Sequence, residues 1–223
     1  MHALTYKQRI AACFTLLLPF LSILFFDQPV LEWRRAVSSP LFSQLMKAVT
    51  LIGQTEILLA VCLLWYLFSR WRRSKKGVEV AYSTAVALIL TGILTQILKR
   101  LIGRPRPSKF LRGIMSLGPS LLHDSFPSGH SVSIFAFSAL YAKEYPHLKV
   151  PLYLLAFLVS FSRVYLGHHF LSDTLMGAII GYFGSLLINS ALLASKFRFW
   201  LFYLERKWLC DEGKMLDSPQ DIL

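Results

Sequence analysis

Six apolar runs divide this chain into stretches that water will not solvate: Ile10–Phe26, Glu56–Phe68, Val78–Leu98, Ser131–Tyr145, Val150–Leu166 and Leu171–Ala194. Several approach the ~20 residues that a helix needs to cross a bilayer. In lipid, each segment must satisfy its own backbone hydrogen-bonding groups, so runs of this kind are helices. The expected fold is therefore all-α and integral to the membrane. It has six transmembrane helices in a single domain over residues 1–223. Composition agrees: 55% of residues are hydrophobic and 16% charged, against about 25% charged in soluble domains.

The polar intervals set the organisation. Lys7 and Arg9 precede the first run as in a signal sequence. However, the run is long and ends in Asp27-Gln28-Pro29 without a small-x-small cleavage site, so it reads as a retained span. Asp27–Gln54 is too polar to cross. Within it Leu41, Phe42, Leu45, Met46 and Val49 fall at helical spacing, which predicts an interfacial helix after the first span. The run from Glu56 is short unless it borrows from Leu51 onward, and it ends on the interface anchors Trp65 and Tyr66. Residues 196–223 form a charged tail expected on the cytoplasmic side, with Trp200, Phe202 and Trp208 interleaved with charge. Cys13, Cys62 and Cys210 are scattered, which argues against a disulfide framework or a zinc site.

The net charge of +12 would suggest nucleic acid in a soluble protein, but here the basic residues punctuate membrane spans. No nucleic-acid partner is expected. Loop charge favours cytoplasmic N- and C-termini. Against that bias, Lys99, Arg100, Arg104, Arg106, Lys109 and Arg112 crowd one loop on the opposite side. Phosphate binding explains a basic loop there.

Three stretches carry chemistry. In the first, Lys99 supplies a point charge and Arg106 a planar fork for phosphate oxygens, stiffened by Pro105 and Pro107. Contact with anionic headgroups alone is the plainer reading of such a cluster. In the second, Phe126-Pro127-Ser128-Gly129-His130 reads as a turn into a helix with Ser128 near the N-cap. Free N–H groups there form an anion site, and His130 stands beside it as an acid or base. The alternative is an ordinary cap with an incidental histidine.

The third stretch, Ser162–Asp173, gathers Arg163, His168, His169 and Asp173 between two apolar runs. Ionisable groups at a membrane rim are costly and suggest function. Asp173 lies one helical turn after His169, so its carboxylate can accept one ring N–H and leave the other nitrogen as nucleophile or base. A structural salt bridge fits the same spacing. All three stretches fall on one side of the membrane. Two histidines among three cations, without clustered carboxylates, suit phosphoryl transfer with no metal; no cofactor is expected.

These residues, Lys99-x6-Arg106-Pro107, Pro127-Ser128-Gly129-His130 and Ser162-Arg163-x5-His169-x3-Asp173, resemble the three signature motifs of the type 2 phosphatidic acid phosphatase superfamily. The resemblance covers about residues 78–194, the expected catalytic core. It points to the integral-membrane branch, with phosphatidylglycerophosphatase B, undecaprenyl-diphosphatase and lipid A phosphatase-like members. It implies hydrolysis of a lipid's terminal phosphate through a phosphohistidine, without metal.

Carried over by position, the resemblance makes His169 the nucleophile, Asp173 its orienting carboxylate and His130 the acid and base. It leaves Lys99, Arg106, Ser128, Gly129 and Arg163 to hold phosphate. His168 and Arg104 are neighbours in reach of the headgroup. The implied partners are a lipid phosphate drawn from the outer leaflet and membrane lipids, with no obligatory protein partner. The implied location is a cell membrane, the bacterial inner membrane, with the site on the periplasmic face. A lipid-to-lipid phosphotransferase using the same intermediate is the alternative, and a lipid or anion transporter the non-enzymatic one. Specificity is assigned to residues 108–125, a candidate lid, to Asp27–Gln54, and to the apolar groove.

Overall fold

The computed structural model describes residues 17–110 and 124–194, and among these every regular element is helical. Residues 17–25 are helical and lead into α1, Asp27–Val37. Then come α2, Pro40–Ile52, with its proline in the first turn where no N–H is missed, and α3, Thr55–Trp71. The long α4, Lys75–Ile102, opens on Ser74, whose hydroxyl accepts from the Gly77 N–H. It closes on Gly103, left-handed at φ 55°, whose N–H donates to the Lys99 carbonyl. A short α5, Pro107–Phe110, follows. The second half holds α6, Gly129–Glu144, a 3-10 turn at Pro146–Leu148, α7, Lys149–Tyr165, and α8, Leu171–Ala194.

Helix α6 is the axis of the bundle. Eleven of its sixteen residues are buried, from Ser131 through Ala142, so its sequence shows no one-sided apolar stripe. Its closest neighbour is α8. A Cβ at Gly177 would lie 2.7 Å from the Ser128 carbonyl oxygen, and one at Gly181 would overlap the Val132 carbonyl. Glycines four residues apart thus let two helix backbones meet, as in membrane helix pairs. The core between α3, α4, α6 and α7 is built from Leu58, Cys62, Val80, Leu88, Ile134, Phe137, Tyr141 and Val159. Outward the bundle stays apolar, with Leu24, Leu64, Val150 and Leu187 all more than 60% exposed. A belt of that kind belongs in lipid.

Among the described residues, three helical stretches, Lys75–Ile102, Pro146–Tyr165 and Leu171–Leu193, are long and apolar enough to cross a membrane. A fourth exists if α2 and α3, bent by 50° at Gly53-Gln54, count as one broken span. The expected count of six is therefore reached only in part. Helix α6 is short at 16 residues, and most of the expected first span lies outside the described residues, as do the tail and most of the 108–125 segment. The expected interfacial segment falls in α2, which exposes Leu41 and buries Met46 and Thr50.

Candidate active site

The site lies where the C-terminal ends of α4 and α7 meet the N-terminal ends of α6 and α8. Residues 166–170 make the link from α7 to α8. The turn depends on Gly167, at φ 68°, which a side chain would strain and which also lies against the Arg34 guanidinium. His168 N–H and His169 N–H both donate to the Arg163 carbonyl, at 3.0 and 3.3 Å. The turn thereby brings His169 back under the other site residues.

His169 is 3% exposed. Its Nδ1 is 2.7 Å from the Ser125 carbonyl oxygen and 3.6 Å from Asp173 Oδ2. A carbonyl only accepts, so in the neutral ring Nδ1 carries the proton and Nε2 keeps the lone pair. The sequence suggested Asp173 as the acceptor of that proton. In the structure a backbone carbonyl is nearer, and Asp173 stands behind it.

The Asp173 carboxylate is fully buried and heavily used. Oδ2 accepts from the Ser125 hydroxyl at 2.5 Å and the Phe170 N–H at 2.9 Å, while Oδ1 accepts from Arg104 Nη1 at 2.6 Å. One carboxylate thus ties Ser125, the His169 turn and Arg104 together.

Ser128 is the N-cap of α6 and fully buried, and its own N–H donates to the Asp173 carbonyl at 3.0 Å. A Cβ on Gly129 would meet only Thr95 Cγ2, at 4.0 Å, so the helix mouth is open on that side. Arg163 is 8% exposed; Nη1 donates to Thr50 Oγ1 at 2.9 Å, and its Nε–H is buried without a partner. A buried unpaired donor on a guanidinium costs free energy, and an anion's oxygen would relieve it.

Arg106 forms a two-pronged pair with Asp124, Nε to Oδ1 at 2.8 Å and Nη2 to Oδ2 at 2.6 Å. Lys99 lies within electrostatic reach of Asp124, Arg106, Arg163 and Asp173, and His130 within reach of Arg163, His169 and Lys99. The structure therefore gathers all eight sequence-predicted residues around one point.

Charge and burial tune the loop histidines. Burial pushes His169 below its ordinary range, Asp173 pulls the other way, and Arg163 and Lys99 reinforce burial. His168 falls to about 4 through burial and the charges of Arg163 and Arg106. Both rings are neutral at pH 7. For Asp124, burial acts upward but the Arg106 hydrogen bond and charge win, leaving it below the usual carboxylate range.

Sequence reasoning missed several contributors. Arg104, expected at the headgroup, turns inward: Nη1 also reaches Ser172 Oγ at 2.7 Å, Nη2 reaches Asp27 Oδ2 at 2.8 Å, and the guanidinium lies 4.1 Å over the Phe170 ring. Ser125 and Thr50 carry no chemical signal in sequence. The Gly177–Gly181 spacing was the one overlooked sign that could have been read.

Residues 80–196 match the model of the PAP2 superfamily. The chain belongs to the PAP2 superfamily. The lipid A 1-phosphatase of Rhizobium etli is 33% identical over 184 residues, covering 75% of this chain and 77% of its own. The undecaprenyl-diphosphatase of Sulfolobus acidocaldarius is 28% identical, covering 61% and 64%. Among solved structures, the PAP2-type phosphatidylglycerolphosphate phosphatase of Bacillus subtilis superposes with a TM-score of 0.58 at 22% identity, over 83% of this chain and 96% of that one. LpxE of Aquifex aeolicus gives 0.55 at 23%, over 73% and 93%. At these identities the likeness speaks for the fold. With the PAP2 relatives and the apolar belt, the chain is a PAP2-type membrane phosphatase, a phosphoric ester hydrolase.

Proposed function

We propose that this PAP2 phosphatase removes the terminal phosphate of a lipid A type or prenyl diphosphate substrate through a phosphohistidine on His169, without a metal ion. The observation that carries the reading is the His169 tautomer: with Nδ1–H given to the Ser125 carbonyl, Nε2 is free to attack. Attack forms the Nε2–P bond as the P–O bond to the lipid breaks, and His130 protonates the departing oxygen. His130 then takes a proton from water, whose oxygen attacks phosphorus; the P–N bond breaks and inorganic phosphate leaves. Lys99, Arg106 and Arg163, with Ser128 and the Gly129 N–H, neutralise the phosphoryl oxygens. Asp173 acts by holding Ser125 and the His169 turn. Binding the phosphate with Arg106 exchanges the Asp124 carboxylate for substrate.

Three cations in place of oxygen donors support a metal-free site, since the nearest carboxylates are already paired with Arg104 and Arg106. Lipid A comes first among substrates because named lipid A phosphatases cover most of this chain at 30–34% identity. On the loop-charge argument we put the site on the face opposite the termini, and the family resemblance supports reading that face as the periplasmic side of an inner membrane.

The test is phosphate release by purified protein from lipid A, undecaprenyl diphosphate, phosphatidylglycerol phosphate and phosphatidic acid. His169→Ala should abolish release from whichever lipid is turned over while the protein stays folded. A His169→Ala variant that kept activity would overturn the nucleophile. Transfer of label to a second lipid in place of phosphate release would instead make the enzyme a phosphotransferase.

A further inference from the structure

Helix α1 lies outside the segment matched to the PAP2 model, yet it holds both ends of the turn that carries His169. Asp27 and Arg34 sit seven residues apart, two turns along one face. Asp27 is 4% exposed. Its carboxylate accepts from the Ser172 N–H at 2.9 Å, the Ser172 hydroxyl at 2.6 Å and Arg104 Nη2 at 2.8 Å. Arg34 Nε donates to the Tyr165 carbonyl at 2.8 Å and Nη2 to the Leu166 carbonyl at 3.2 Å.

Ser172 is in the first turn of α8, where backbone N–H groups lack partners; Tyr165 and Leu166 end α7, where carbonyls do. A carboxylate therefore caps the positive end of α8, and a guanidinium caps the negative end of α7. Between the two caps lie only residues 167–171. Arg104, bound to Asp27, reaches on to Asp173 at 2.6 Å, so the same brace touches the carboxylate behind His169.

We infer that α1 is an intramolecular brace and that Asp27 and Arg34 are positioning residues, which hold the 166–172 turn so that His169 meets phosphorus in line. The inference rests on the reading of His169 as nucleophile. A group held through a turn fails by misplacement: substrate still binds to Lys99, Arg106 and Arg163, but attack slows.

The test uses the full-length protein and the most rapidly hydrolysed lipid of the panel. Asp27→Ala and Arg34→Gln should each lower kcat between about tenfold and a hundredfold with KM within about twofold. Arg34→Lys, which keeps a cationic donor facing the two carbonyls, should recover most of the loss. Amide exchange over residues 166–172 should quicken in Asp27→Ala and Arg34→Gln while α6 stays protected as in the parent. Unchanged kcat in folded variants, or a loss confined to KM, overturns the brace and leaves the phosphatase reading standing if His169→Ala remains inactive. If the parent releases phosphate from no lipid, the phosphatase reading fails, and exchange decides the brace: equal rates in parent and variants overturn it. Should Asp27→Ala not fold, Asp27→Asn keeps an acceptor for Ser172 but gives up the charge facing Arg104, and carries the same test with a smaller expected loss.

Discussion

At the scale of single residues, the site works by denying His169 a choice of tautomer. The Ser125 carbonyl takes the Nδ1 proton, and burial among Arg163 and Lys99 keeps a second proton off the ring. The pH consequence has a definite sign. In the unfolded chain His168 and His169 take up protons near 6.5, while in the folded chain both are held lower, His168 at about 4. Below 6.5 the unfolded state therefore binds more protons, and stability falls as pH drops from 6.5 toward 4; above 6.5 these groups change nothing. Thermal unfolding in detergent across that window should show the decline, and His168→Gln should flatten part of it. A melting temperature independent of pH over the window contradicts the assigned neutral rings. With His169 as the proposed nucleophile, turnover would need its neutral ring and should persist at pH 6, below the ordinary histidine value.

At the scale of elements, the decisive contact is α6 on α8. It sets the distance between the helix mouth at Ser128 and the first turn of α8, bonded through the Ser128 N–H and the Asp173 carbonyl. Gly181→Val forces a side chain into the Val132 carbonyl and the Ala136 N–H, and overpacking of that kind costs about 1–3 kcal/mol. The melting temperature should drop accordingly. Gly92→Ala, where an added Cβ meets nothing within 4 Å, should be neutral or stabilising. Equal behaviour of the two variants would show that the helices can part freely.

At the scale of the whole molecule, a bundle with an apolar exterior brings Lys99, Arg104, Arg106 and Arg163 together at one end, where they face Asp27, Asp124 and Asp173. If those cations do the neutralising, EDTA should leave phosphate release within about twofold; strict dependence on added metal would refute the metal-free mechanism. Much of this was readable from sequence. Apolar runs announce lipid-facing helices because the membrane leaves the backbone no other solution, and the motifs that hold Lys99, Arg106, Ser128, His130, Arg163, His169 and Asp173 announce the PAP2 superfamily, to which the chain belongs. The helix count was less legible, since a bent pair and a short buried helix such as α6 blur hydropathy. What only the tertiary structure decided is who serves those residues. Asp27 approaches Ser172 across 145 positions and Arg34 approaches Tyr165 across 131. A backbone carbonyl, Ser125, takes the place expected of Asp173. Side-chain chemistry is written locally in a sequence, whereas backbone carbonyls look alike everywhere in it. Folding alone determines which of them is left unpaired beside a histidine.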